Sequence, residues 1–156
     1  MDLLDTKPDS GFTFNRVPTP LAPENRPIWR ISLIALILFQ LSRGHKASSQ
    51  KILALSSIIS SKHKRAIFNS VLSKDQSSSK LNIRFDPSVN RAIDFGIAEG
   101  ILCLDRPKNV CLTEKGIAFA EKLIATEDVF SLEREFMGKF SKNALNERVV
   151  NELITG

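Results

Sequence analysis

The sequence is short of the residues that carry out chemistry. Only two of its 156 residues are histidine, His45 and His63, and neither stands with cysteine or carboxylates at a metal-ligand spacing. No metal, no cofactor and no catalytic residue are therefore expected, and the chain does not read as an enzyme. The seven glycines are scattered rather than gathered into a phosphate-cradling loop. Gly96-x-x-x-Gly100 falls inside and at the end of a predicted helix, where close packing and capping account for both residues. Ser48-x-x-Lys51 and Ser77-x-x-Lys80 have the spacing of some acyl-enzymes but none of their partner motifs. Long apolar runs are also missing. Ile31 to Phe39 is about half the roughly 20 residues of a bilayer span, and Arg30 and Arg43 bracket it, so it reads as a core helix and no membrane partner is expected. The start, MDLLDTKPD, lacks a basic region followed by an apolar one, so no signal peptide is predicted and a cytoplasmic location is expected. Two cysteines, Cys103 and Cys111, could face each other across a hairpin whose loop has an odd number of residues. In a reducing compartment they are expected to remain thiols.

What is present is the composition of one ordinary globular domain, 42% apolar and 25% charged. Its net charge of +5 is unevenly spread. Residues 1–27 carry 3 basic and 4 acidic groups, residues 28–80 carry 9 basic groups against Asp75 alone, and residues 81–156 carry 10 against 12. The basic character belongs to one third of the chain.

Five prolines between Pro8 and Pro27 and few apolar residues make 1–27 an extended arm, with Phe12 and Phe14 as candidate partner contacts. The rest, 28–156, is predicted to be one mainly α domain with a small β hairpin. Its parts are a basic helical half (28–80), a winged half (81–126) and C-terminal helices (127–156). Ile28 to Leu41 is apolar nearly all round a helical wheel and must be covered on more than one face. Gly44 ends it. Helices from about Ala47 to Ser60 and Lys62 to Leu72 follow, the second burying Ile67, Phe68, Val71 and Leu72, and Lys74–Lys80 is a loop by composition.

Leu81 to Phe85 alternates at period two and predicts a strand. Asp86-Pro87 then caps a helix whose inward stripe is Val89, Ala92, Ile93, Gly96 and Ile97. The strands ILCLD and VCLT with the turn RPKN make a hairpin, and Thr113 opens a helix with Ile117, Ala120, Leu123 and Ile124 inward. Helix, hairpin, helix is the second half of a winged helix. Two further helices are predicted around Val129–Met137 and Asn143–Ile154.

Binding residues are sought in the basic groups. Lys62, His63, Lys64 and Arg65 place four potentially cationic side chains in one helical turn, suited to phosphates. Cations at a helix N-terminus oppose its dipole, so local helix stability does not explain the cluster. Arg106 and Lys108 at the wing tip offer a modest nonspecific contact. The helix before the hairpin, which enters the groove in DNA-reading winged helices, turns Asn90, Arg91, Asp94, Phe95 and Glu99 outward. One base against two acids suits a protein partner better than a phosphate backbone, and Trp29, Arg91 and Phe95 are the candidate partner contacts.

Four blocks in order, RISLIALILFQLSRGHKASSQKILALSSII, RFDPSVNRAIDFGIAEGIL, VCLTEKGIAFAEKL and LEREFMGKFSKNALNERVV, resemble the middle component of prokaryotic ABC-three-component systems. These include the small accessory subunit of Lamassu-type defence. The resemblance runs from about Ile28 to Ile154 and leaves out the arm. LTEKG after a hairpin occurs in many winged-helix proteins; the order of all four blocks is what points to this family. The resemblance implies a non-catalytic bacterial subunit in an anti-phage or anti-plasmid complex. Its partners would be an ABC ATPase of the structural-maintenance-of-chromosomes type and an effector such as a nuclease, with DNA nearby. The alternative is a stand-alone winged-helix transcription regulator.

Overall fold

The computed structural model describes residues 26–75, 77–106 and 108–155; the arm with Phe12 and Phe14 lies outside them. Helix α1 (Pro27–Gln40) starts at a proline, whose fixed φ suits a first helical turn, after the extended Arg26. Every residue from Ile31 to Leu38 is buried. The expectation of cover on more than one face is met by two separate cores. Ile31, Ile34, Ala35 and Leu38 enter one with Val89, Ile93, Leu102, Val110 and Ala120. Leu33, Leu36, Ile37 and Leu41 enter the other with Leu55, Ile59, Phe68, Phe136 and Leu145. Helix α1 is thus the partition between them.

After the turn at Gly44 (φ 66°) comes a strand that the sequence pattern does not announce, β1 (Lys46–Ser48). Helix α2 (Ser49–Ile59) begins only after it, with the Ser48 hydroxyl accepting the Lys51 N–H as N-cap. Helix α3 (Lys62–Leu72) follows. It buries only Phe68 completely; Ile67 and Val71 are half-buried and Leu72 is exposed, contrary to expectation.

The predicted strand Leu81–Phe85 does not form. Ser78–Leu81 is a 3₁₀ turn ending in left-handed Asn82 (φ 49°), with Leu81 buried and Phe85 exposed. Alternation supplies a face but no ladder partner, and backbone groups without a partner strand stay in irregular structure.

Helix α4 (Pro87–Ala98) carries the inward stripe of the sequence pattern, with Val89, Ala92, Ile93 and Gly96 buried and Ile97 half-buried. Strands β2 (Leu102–Asp105) and β3 (Asn109–Leu112) form the hairpin, and β1 pairs with the far edge of β3. The result is a three-stranded antiparallel sheet in the order β1-β3-β2. Helix α5 (Glu114–Ala125) is capped by Thr113. Helices α6 (Ser131–Met137) and α7 (Glu147–Thr155) complete a mainly helical protein. Both begin later than expected.

Two glycines hold α4 and α5 close to the hairpin. A Cβ on Gly96 would meet Leu102, and one on Gly116 would strike the Ile101 carbonyl oxygen. The Cys103–Cys111 pair corrects the thiol expectation. The loop is the odd-numbered 106–108, so the two residues are direct cross-strand partners, 5.1 Å apart at Cα, and they form a disulfide. The compartment argument concerns redox supply, whereas the register brings the two sulfurs within bonding reach.

Candidate partner interface

The N-terminal turns of α1 and α4 lie side by side, and a hollow of about 290 Å³ opens between them. Its polar wall is Arg26, Arg30, Ser88 and Arg91, and its apolar wall is Ala92 and Phe95. Arg30 is largely buried and pairs with Asp86 at 3.5 Å, while Arg26 and Arg91 are exposed. Asp86 also accepts the Ser88 N–H and hydroxyl, at 2.9 and 2.7 Å. Burial pushes the Asp86 carboxyl up, but the Ser88 hydrogen bonds and the neighbouring Arg30 and Arg91 outweigh it and hold the group below its ordinary value. Asp86 is therefore fixed as an anion that positions Arg30, and among the described residues lining this hollow cationic charge is left over.

A second hollow of about 240 Å³ adjoins it, with Pro27 and Phe95 in the lining of both. This second part is lined by Ile28, Ile31 and Ile101, with Glu99 at its side. Ile28 is 56% exposed and Phe95 51%. A cationic pocket thus lies beside an apolar shelf, with one exposed phenyl ring common to both. Such a groove is suited to an acidic segment carrying an aliphatic or aromatic anchor.

The outward set predicted for α4 is found as expected: Asn90, Arg91, Asp94, Phe95 and Glu99 are all exposed. Arg91 and Phe95 meet at the groove. Trp29 does not join them; it is half-buried and its ring packs 5.2 Å from that of Phe130, so the chain itself covers much of its apolar surface. Sequence reasoning passed over Arg26, Arg30 and Ile28. The i, i+4 spacing of Arg26 and Arg30 was the available signal, but only the crossing of α1 over α4 places them beside Arg91.

The cationic turn of α3 divides in two. Lys62 and His63 are exposed. Lys64 donates to the Ser57 hydroxyl at 2.8 Å and Arg65 donates to the Ile59 carbonyl, both at the C-terminal end of α2. This corrects the argument that helix stability cannot explain the cluster, because cations that oppose the dipole of α3 complement that of α2. Arg106 and Lys108 are exposed at the tip of the hairpin, where the Lys108 carbonyl also accepts the Ser49 N–H.

Among the described residues no group of His, Cys, Asp or Glu could hold a metal ion, and no helix is long and apolar enough to cross a membrane. No protein family, curated protein or solved structure matches this chain.

Proposed function

We propose that this protein is a non-catalytic accessory subunit of a bacterial defence complex. In this reading it bridges an ABC ATPase of the structural-maintenance-of-chromosomes type and an effector such as a nuclease. The carrying observation is the groove, in which the exposed Phe95 stands between three arginines and an apolar shelf, while Asp94 and Glu99 share the exposed face of α4. Two carboxylates on that helix would face phosphate oxygens in a DNA groove, at a like-charge cost that a protein partner does not impose. Together with the family resemblance of the four sequence blocks, this favours protein docking through α4.

The arrangement supports a winged-helix reading of the fold. Helix α4 precedes the hairpin, β1 adds to β3 as the third strand, and α3 becomes an insertion before the recognition helix. The same arrangement keeps a second reading alive, a winged-helix transcription regulator working in the cytoplasm, for which the three arginines beside α4 would be phosphate contacts.

One experiment separates the two readings. The tagged protein is recovered from its native host and the copurifying chains are identified by mass spectrometry, in wild-type form and as Phe95→Asp and Arg91→Glu. Recovery of a large coiled-coil ATPase with an effector, lost in both variants, is the expected result. A lone dimer that retards DNA would replace the accessory-subunit reading with the regulator.

A further inference from the structure

On β1, the start of α2, β3 and the segment leading into α7, the chain builds a second cationic hollow of about 510 Å³. Arg43, Lys46 and Lys51 line it from one stretch of the chain and Lys142 from a distant one. That volume lies in the range of small-molecule sites and is larger than a single phosphate group requires. Against the four cations stand Glu147, in the wall, and Asp105, which pairs with Lys46 at 3.2 Å. Glu147 is already engaged, accepting the Ser48 N–H and hydroxyl at 2.9 and 2.6 Å. Among the described residues, two positive charges are left uncompensated.

Lys51 is the unusual member. It is 3% exposed, and its ammonium donates to the Leu41 carbonyl at 3.1 Å, its one acceptor among the described residues. Burial pulls this lysine below the usual range, with Glu147 opposing the shift. A buried lysine in the wall of a cation-lined hollow gains from an anion placed there, in addition to its bond to the C-cap carbonyl of α1. Amide donors complete the wall. Asn109, Asn143 and Asn146 line it, and because the Asn146 side-chain oxygen accepts the Val149 N–H, its amide nitrogen remains a donor.

We propose that this hollow binds a small anion carrying two or more linked phosphates, the class to which inorganic pyrophosphate and the phosphate chain of a nucleotide belong. Two uncompensated charges match an anion of at least two charges, and cations approaching from several sides suit tetrahedral phosphate better than a planar carboxylate. The site involves none of the groove residues, so it stands or falls independently of the accessory-subunit reading.

The test is calorimetric titration of the full chain with inorganic pyrophosphate and, separately, with ADP and a short DNA duplex. Wild-type protein is expected to bind pyrophosphate at one site. Replacing exposed Arg43 and Lys142 together by alanine, which leaves the core intact, is expected to weaken binding about tenfold or more. Glu147→Gln is expected to tighten it, because a like charge leaves the wall. ADP binding that competes with pyrophosphate assigns the site to a nucleotide; pyrophosphate binding without ADP assigns it to the free anion. Failure of pyrophosphate to bind, binding indifferent to Arg43 and Lys142, or binding of DNA alone would each overturn the proposal.

Discussion

Single side chains settle three junctions of this molecule, and each makes a prediction. Arg134 on α6 donates to the carbonyls of Ile124, Thr126, Val129 and Leu123, closing the C-terminal end of α5. Arg134→Met removes a charged donor from several carbonyls at once and should cost about 2 kcal/mol in urea unfolding. Asp86 caps α4 and anchors Arg30, so Asp86→Ala should cost about 1 kcal/mol near neutral pH. Because its folded value lies below 3.8, the contribution of Asp86 is present above that value and is lost as pH falls through the lowered one. Wild type and variant should therefore converge in stability in acid. Lys51 has a linkage of the same sign, displaced to alkaline pH. Its folded value lies below 10.5, so the unfolded chain binds more protons as pH approaches 10.5 and wild-type stability rises there. Lys51→Met should abolish that rise in a series of unfolding curves, and a variant that keeps the slope would show that Lys51 is not its source.

At the scale of elements, α1 matters most because both cores rest on it. Leu33 and Ile34 are neighbours in sequence, both wholly buried, and they point into different clusters. Leu33→Ala and Ile34→Ala should each cost about 2–5 kcal/mol. Tolerance of either by thermal unfolding would mean that one face of α1 is not a real core face. Gly116 sets how closely α5 can approach the hairpin; Gly116→Ala should cost about 1–3 kcal/mol, since the added methyl meets backbone rather than a movable side chain. The aromatic trio Phe68, Phe136 and Phe140, with ring centroids 5.2–5.7 Å apart, ties α3 to α6 and the segment after it. Helices α4 and α5 were legible because each combines a capping residue, a buried stripe at helical spacing and a glycine near the hairpin. Strand β1 was not, because three residues are too few for a period and its existence depends on the free edge of β3, where Asn109–Cys111 become its partners only once the fold brings the two segments together.

Across the whole molecule, the disulfide, the groove beside α4 and the second cationic hollow are tertiary properties. Closing the short loop between Cys103 and Cys111 should add about 2–3 kcal/mol by loop entropy. Reduction should raise the intact mass by two hydrogens and lower the unfolding midpoint. What the sequence determined alone is the mainly helical character, the need to cover α1 on two sides, the outward set of α4 and the possibility that the hairpin cysteines are partners. These follow from periodicity, capping and strand register, which are local. The tertiary structure alone decided that Leu81–Phe85 finds no partner strand and that half of the α3 cations serve the end of α2. It also set Arg26 and Arg30 beside Arg91, and Lys51 beside Lys142. Charges distant in the chain become one site only when packing fixes the helices that carry them, and the free energy that does so comes from the buried apolar faces on the other side of those helices.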